Sequence, residues 1–206
     1  MKSFVLACVL GFALLVAFFG LQMSIAEIEV HHAAARGRPP TPDEEFYLPI
    51  AWGLLMWLSA IVTALCALMW WAWSFQAAIN LRALGARSLE YTPAALVWWW
   101  FVPIFAFVRP YQAIAELCRA SAAAAEGQID RWPQFAVSKL LAPWWASWLA
   151  YFVSAPVMWV AAYNKLVPIG AWVGAFSYAA AMLAAISALG VVFIIDRAQK
   201  RASGHA

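Results

Sequence analysis

The residues best suited to chemistry sit in one stretch, Ser74 to Ser121, which reads SFQAAINLRALGARSLEYTPAALVWWWFVPIFAFVRPYQAIAELCRAS. Arg82 and Arg87 precede an uncharged run, Ala94 to Val108, and Arg109 and Arg119 follow it. Guanidinium groups present planar forks of N–H donors that match phosphate and carboxylate oxygens. Gln76, Asn80, Tyr111, Gln112 and Glu116 supply further hydrogen-bonding groups, and Trp99 and Trp100, within Trp98-Trp99-Trp100, supply an apolar wall. The chemistry this set suits is recognition of an anionic lipid headgroup or of a protein partner. The blander expectation, which we favour, is that the arginines set topology and pair with Glu90, Glu116 and ordinary phospholipid while the tryptophans anchor.

Catalytic patterns are not visible elsewhere. Ionisable residues inside apolar spans are costly and are kept for use, and none falls within the spans drawn below. No span holds a histidine for a haem iron. Ser59, Thr63, Ser147, Ser154, Ser177 and Ser187 are isolated hydroxyls, which in membrane helices commonly bond their own backbone. His31 and His32 are adjacent, so their side chains diverge, and a shared metal would need Glu27 or Glu29. Cys8, Cys66 and Cys118 are too far apart in sequence for a CxxC pair; the first two suit apolar packing, and Cys118 is at most a palmitoylation candidate. We therefore assign no catalytic, cofactor-binding or metal-ligating residue.

The elements that must position the arginine-rich stretch are membrane spans. Of 206 residues, 66% are hydrophobic and 11% charged, a balance outside the range of soluble domains. Four apolar segments are long enough to cross a bilayer: 4–23, 47–73, 140–162 and 168–195. Ser24-Ile25-Ala26 resembles a signal cleavage site, but the apolar run before it is long for a signal peptide, so a retained helix is expected. Residues 27–46, with five acidic residues, two arginines and Pro39, Pro40 and Pro42, are expected to form a solvated external loop. The second helix should run past its apolar part to stop at Gly85.

The run 94–108 is different. Its fifteen residues would reach only about 22 Å as a helix, against a hydrocarbon core of roughly 30 Å, and Pro103 interrupts it. It is expected to enter and return, or to lie in the interface. Residues 110–126 then form an amphipathic inner-surface helix with Tyr111, Ile114, Leu117 and Cys118 on one face and Gln112, Glu116 and Arg119 on the other. The fold expected is all-α and integral to the membrane, a single domain over 1–206. With four spans, ten of the thirteen Lys and Arg lie inside and only Arg36, Arg38 and Lys165 outside; if 94–108 spanned, four would be inside and nine outside. The positive-inside rule selects four spans with both termini cytoplasmic. Fourteen tryptophans, among them Trp70, Trp71, Trp73, Trp144, Trp145 and Trp148, are expected at the headgroup level.

The central stretch resembles the bacterial membrane family catalogued as domain-of-unknown-function family 4328. Asn80, Arg82-Ala83-Leu84-Gly85, Thr92-Pro93, Trp99 to Pro103, Arg109-Pro110-Tyr111-Gln112-Ala113, Glu116-Leu117 and Arg119-Ala120-Ser121 carry the resemblance. It implies a bacterial inner-membrane location and a multi-pass fold; the family has no established activity. Gly170 and Gly174 form a GxxxG pair, with Ala171, Ala175 and Ala179 and Ala180, Ala184 and Ala188 repeating at the same spacing, so another backbone, in this chain or in a second copy, can approach closely. The expected role is a non-enzymatic accessory or scaffold component. The alternative is a small transporter or lipid-handling protein, and a membrane enzyme would need Glu116 or another acidic residue beside a bound phosphate. Nucleic acid is an unsuitable partner for a chain of net charge +3 spread over membrane loops.

Overall fold

The computed structural model describes residues 2–164 and 166–204. Among the described residues six α-helices follow one another: α1 (Lys2–Ala35), α2 (Pro42–Ala83), α3 (Ala95–Trp98), α4 (Arg109–Ala125), α5 (Leu141–Tyr163) and α6 (Val167–Ala202). Short 3₁₀ turns occupy Trp99–Phe101, Phe105–Phe107 and Ile129–Gln134, and no strand occurs among the described residues. Four of the helices, α1, α2, α5 and α6, are long and apolar enough to cross a membrane, as expected. Lys165, expected on the outer side, lies outside the described residues.

The helices outrun their apolar windows. Residues 27–35 and 42–46, expected in a loop, are helical, and only 36–41 connect α1 to α2. Helical hydrogen bonding does not stop where hydrophobicity does; it stops where the backbone must. At Gly37, φ is +89°, a turn conformation that side chains disfavour. Pro42 then stands in the first turn of α2, where a missing N–H is harmless. Thr41 and Glu44 close that end reciprocally: the Glu44 N–H donates to Thr41 Oγ1 (3.2 Å) and the Thr41 N–H to Glu44 Oε2 (2.7 Å). Gly85 (φ +101°) and Gly127 (φ +67°) follow the ends of α2 and α4 in the same way. Helix α6 likewise runs past the expected span end at Ile195, through the charged residues that follow, to Ala202.

The chain groups into two compact units. One comprises Gly11–Leu65 and Ala146–Ala185. Its core is built from Ala17, Trp52, Met56, Met158 and Tyr178. Small residues set its spacing: a Cβ at Gly20 would meet the Tyr178 ring at 2.5 Å, and one at Gly174 would meet Ser24 Oγ and Trp52 at 2.9 Å. Gly170 faces Ala161 of the same chain, so both glycines of the GxxxG pair face neighbours within this unit. Ala180, Ala184 and Ala188 are all buried on α6, whereas Ala179 is exposed.

The other unit comprises Met1–Leu10, Cys66–Trp145 and Ile186–Ala206. Helix α4 lies at its centre, with Pro110, Ala113, Ile114, Leu117, Ala120 and Ala123 all buried. Alanines on α4 and Ala77 and Ala78 on α2 let the helices approach, and Gln199 of α6 fastens them. Its Nε2 donates to the Ala77 carbonyl (3.0 Å) and to Ser121 Oγ (3.1 Å). Nearby, Trp70 stacks on Trp144 at 4.7 Å, and Trp73 Nε1 donates to Asp196 Oδ1 at 3.2 Å. Tryptophans expected as interface markers thus also serve as core.

Candidate functional site

The loop after α2 has little repeating structure of its own, so its N–H groups need acceptors from elsewhere. Glu116 supplies them. Its Oε2 accepts from the Glu90 N–H at 3.0 Å and its Oε1 from the Tyr91 N–H at 3.1 Å. The residue is 6% exposed, not on a wet face as its helical phase suggested. Burial pushes its carboxyl above the ordinary value, and the two N–H groups oppose that shift.

This anchorage brings Tyr91 into the centre of a network. Tyr91 is buried, and its hydroxyl donates to Gln112 Oε1 at 2.9 Å while accepting from Arg109 Nη1 at 2.9 Å. Arg109 Nη1 also lies 3.4 Å from Glu90 Oε1 and 3.4 Å from Gln112 Oε1. The Arg109–Glu90 pair is largely solvated and contributes little, so the network around Tyr91 matters more than that bridge. From α2, Arg82 Nη2 reaches the Tyr91 carbonyl at 3.4 Å.

The network holds an apolar wedge, residues 95–108. Thr92 opens it by accepting the Ala95 N–H at 3.2 Å. One turn of α3 tightens into the 3₁₀ turn Trp99–Phe101, and Val102 is extended, as a residue before proline prefers to be. The Phe105 N–H donates to the Pro103 carbonyl at 2.7 Å, closing a γ-turn around Ile104. There φ is +66° and ψ −53°, the rare strained form, in a β-branched residue that is 80% exposed. Such backbone strain costs about 1–3 kcal/mol. The Arg109 guanidinium lies 5.6 Å from the Trp99 ring centroid and 5.9 Å from that of Phe105, and Trp145 Nε1 donates to the Phe107 carbonyl at 3.2 Å. Held from both sides, the wedge exposes Trp98, Phe101, Ile104, Phe105, Phe107 and Val108.

The structure therefore gathers Arg82, Trp99, Arg109, Gln112 and Glu116 into one cluster. Gln76 Nε2 donates to Asn80 Oδ1 at 3.0 Å, one turn away on α2. Trp100 sits between Trp71 (6.5 Å) and Trp145 (5.8 Å), and Tyr111 lies 6.4 Å from Trp145. Arg87 is exposed, and Arg119 buries its Nε without a hydrogen-bond partner. Cys118 is 4% exposed, and burial pushes its thiol up to about 12, an unreactive and inaccessible group. Among the described residues no three His, Cys, Asp or Glu side chains converge as a metal site would require. Sequence reasoning missed Tyr91, Gln199 and Trp145 as hydrogen-bonding hubs. Tyr91 and Gln199 stand in polar segments, 87–92 and 196–201, where nothing in the pattern singles them out, and Trp145 had only its indole N–H in an otherwise apolar span as a signal.

The fold and cluster define an all-helical membrane protein with four long apolar helices and a braced apolar wedge. The chain belongs to the family described as Domain of unknown function (DUF4328), whose family model matches residues 28–197. No curated protein and no solved structure matches it.

Replacing Glu116 separates its role as an acceptor from its charge. Glu116→Ala orphans two backbone donors, at about 1–3 kcal/mol for each that stays dry, and should lower the melting temperature markedly. Glu116→Gln keeps one acceptor and has no charge to desolvate, so its melting temperature in detergent should fall between those of wild type and the alanine variant.

Proposed function

We propose that this protein is a non-enzymatic accessory or scaffold component of a membrane, and that the wedge around Ile104 is its contact surface. One observation carries the reading: Glu116 is consumed in bonding the chain's own backbone, while the wedge it braces exposes a strained β-branched tip and five more large apolar side chains. A buried carboxylate with both oxygens occupied is poorly placed to act on a lipid phosphate, which argues against Glu116 as the acidic group of a membrane enzyme. Strain concentrated at an exposed tip is the pattern expected where a surface has been shaped for contact.

The wedge fits best as a segment that enters the membrane interface from the cytoplasmic side and returns. Four spans then leave both termini cytoplasmic, in keeping with the distribution of arginines. Arg82, Arg87, Arg109 and Arg119 belong on that inner side, and a bacterial inner membrane is the setting the family resemblance favours. Exposed positions on either side of the wedge test this. In a background lacking Cys8 and Cys66, Ser88→Cys and Gln128→Cys should label from the same, cytoplasmic, side; labelling from opposite sides would mean that the wedge spans.

Glycine at the wedge tip tests the contact role. Ile104→Gly relieves the positive φ and should raise the melting temperature by a few degrees. A stoichiometric protein that co-purifies with wild type in native nanodiscs should be lost from this more stable variant. Retention of the partner would remove the wedge from the interface, and absence of any partner would sink the accessory role.

A small transporter is the second reading, favoured by the unit that contains Tyr178. Trp52 Nε1, Ser177 Oγ and Tyr178 OH are buried there without a well-formed hydrogen bond, and such groups in apolar surroundings are commonly satisfied by water or a ligand. Tyr178→Phe discriminates. If the hydroxyl lines a hydrated path, the variant loses buried water seen by hydrogen exchange; if it does not, only a stability gain remains.

A further inference from the structure

One face of α6 changes character along its length. Leu189, Val192 and Phe193 lie on it, and at the same helical spacing the face continues as Asp196, Arg197, Lys200 and Arg201. Ser3, Phe4 and Ala7 of α1 complete a cleft of 840 Å³ with these residues. The cleft lies within the unit of Met1–Leu10, Cys66–Trp145 and Ile186–Ala206, and none of its residues belongs to the Glu116 cluster.

Its walls and its mouth call for different solvents. Phe4 is 73% and Phe193 62% exposed, aromatic surface that gains nothing from facing a water-soluble anion. At the mouth, Arg197, Lys200 and Arg201 form no ion pair among the described residues. Asp196 is held by the Trp73 indole N–H at 3.2 Å. Three cations against one carboxylate and a helix C-terminus worth roughly half a negative charge leave the mouth positive. The Arg197 guanidinium lies 6.0 Å from the Phe193 ring centroid, where the basic and apolar parts meet.

We propose that this cleft binds one anionic phospholipid. Its phosphate lies among Arg197, Lys200 and Arg201, and an acyl chain runs along Phe4, Ala7, Leu189 and Val192. Arg201 lies twelve helical steps beyond Leu189, a rise of about 18 Å, long enough to engage a headgroup and the upper part of a chain together. The site is independent of the wedge, so either can stand without the other. Basic residues at a span terminus commonly serve topology alone; what sets these apart is the cleft that joins them to an exposed apolar wall.

The test is native mass spectrometry of the full chain from phosphatidylcholine nanodiscs titrated with phosphatidylglycerol. Wild type should retain one phosphatidylglycerol in preference to phosphatidylcholine. Arg197→Gln/Lys200→Gln/Arg201→Gln should lose that preference by roughly a hundredfold, from about a fivefold effect per basic residue. Ala7→Trp should lose the bound lipid with every charge intact, and Arg131→Gln, exposed and outside the cleft, should behave as wild type. Each variant is checked for an unchanged melting temperature. Retained preference in the triple variant, an equal loss in Arg131→Gln, or displacement of the lipid by millimolar inorganic phosphate alone would overturn the proposal.

Discussion

Two backbone N–H groups, those of Glu90 and Tyr91, are met by the two oxygens of one carboxylate, and much of the arginine-rich region follows from that pairing. A loop between membrane helices has no ladder to join, so a side chain must stand in for one. Glu116 can do so because it projects from α4, at the buried centre of its unit. Fixing residue 91 fixes the phenol, and the phenol then selects Arg109 and Gln112 as partners. A charged residue whose helical phase marked it as surface is therefore an internal strut.

Two of the tryptophans, Trp73 and Trp145, obey the same requirement that polar groups be satisfied. An indole has one donor and a large apolar ring, so it can face a headgroup or close a helix contact. Trp73 and Trp145 direct their N–H groups to Asp196 and to the Phe107 carbonyl. Trp70 and Trp144 stack on each other. At Trp73 and Trp145 interface preference and structural use do not conflict, because both place the ring in an apolar zone and the nitrogen beside an acceptor, whereas Trp70 buries its Nε1 without a partner and contributes through its ring.

How much was legible follows from which forces act locally. Apolar windows located all four long helices, since twenty uncharged residues in a row have few alternatives. Gly85 marked a helix end correctly because left-handed backbone is a property of the residue itself. Hydrophobic windows end α1 short, at Met23, and begin α2 late, at Tyr47, although Thr41 and Glu44 carry a capping signal at Pro42. Pro103 announced the break in the run 94–108, but not that Ile104 would take the positive φ. Glu116, Gln199 and Tyr91 were illegible in role, for a long-range hydrogen bond leaves no periodicity behind.

What remains after these bonds are drawn is informative by subtraction. Arg109 and Glu116, two charged side chains of the cluster that braces the wedge, are both committed to the chain. Their commitment confers rigidity rather than reactivity, because moving either group would orphan buried donors or acceptors. Rigidity matters at Ile104, where a strained turn would relax if its two flanks were free to shift. The polar cluster and the apolar tip are therefore one device: hydrogen bonds that water cannot easily replace hold a hydrocarbon surface in a shape it would not keep by itself.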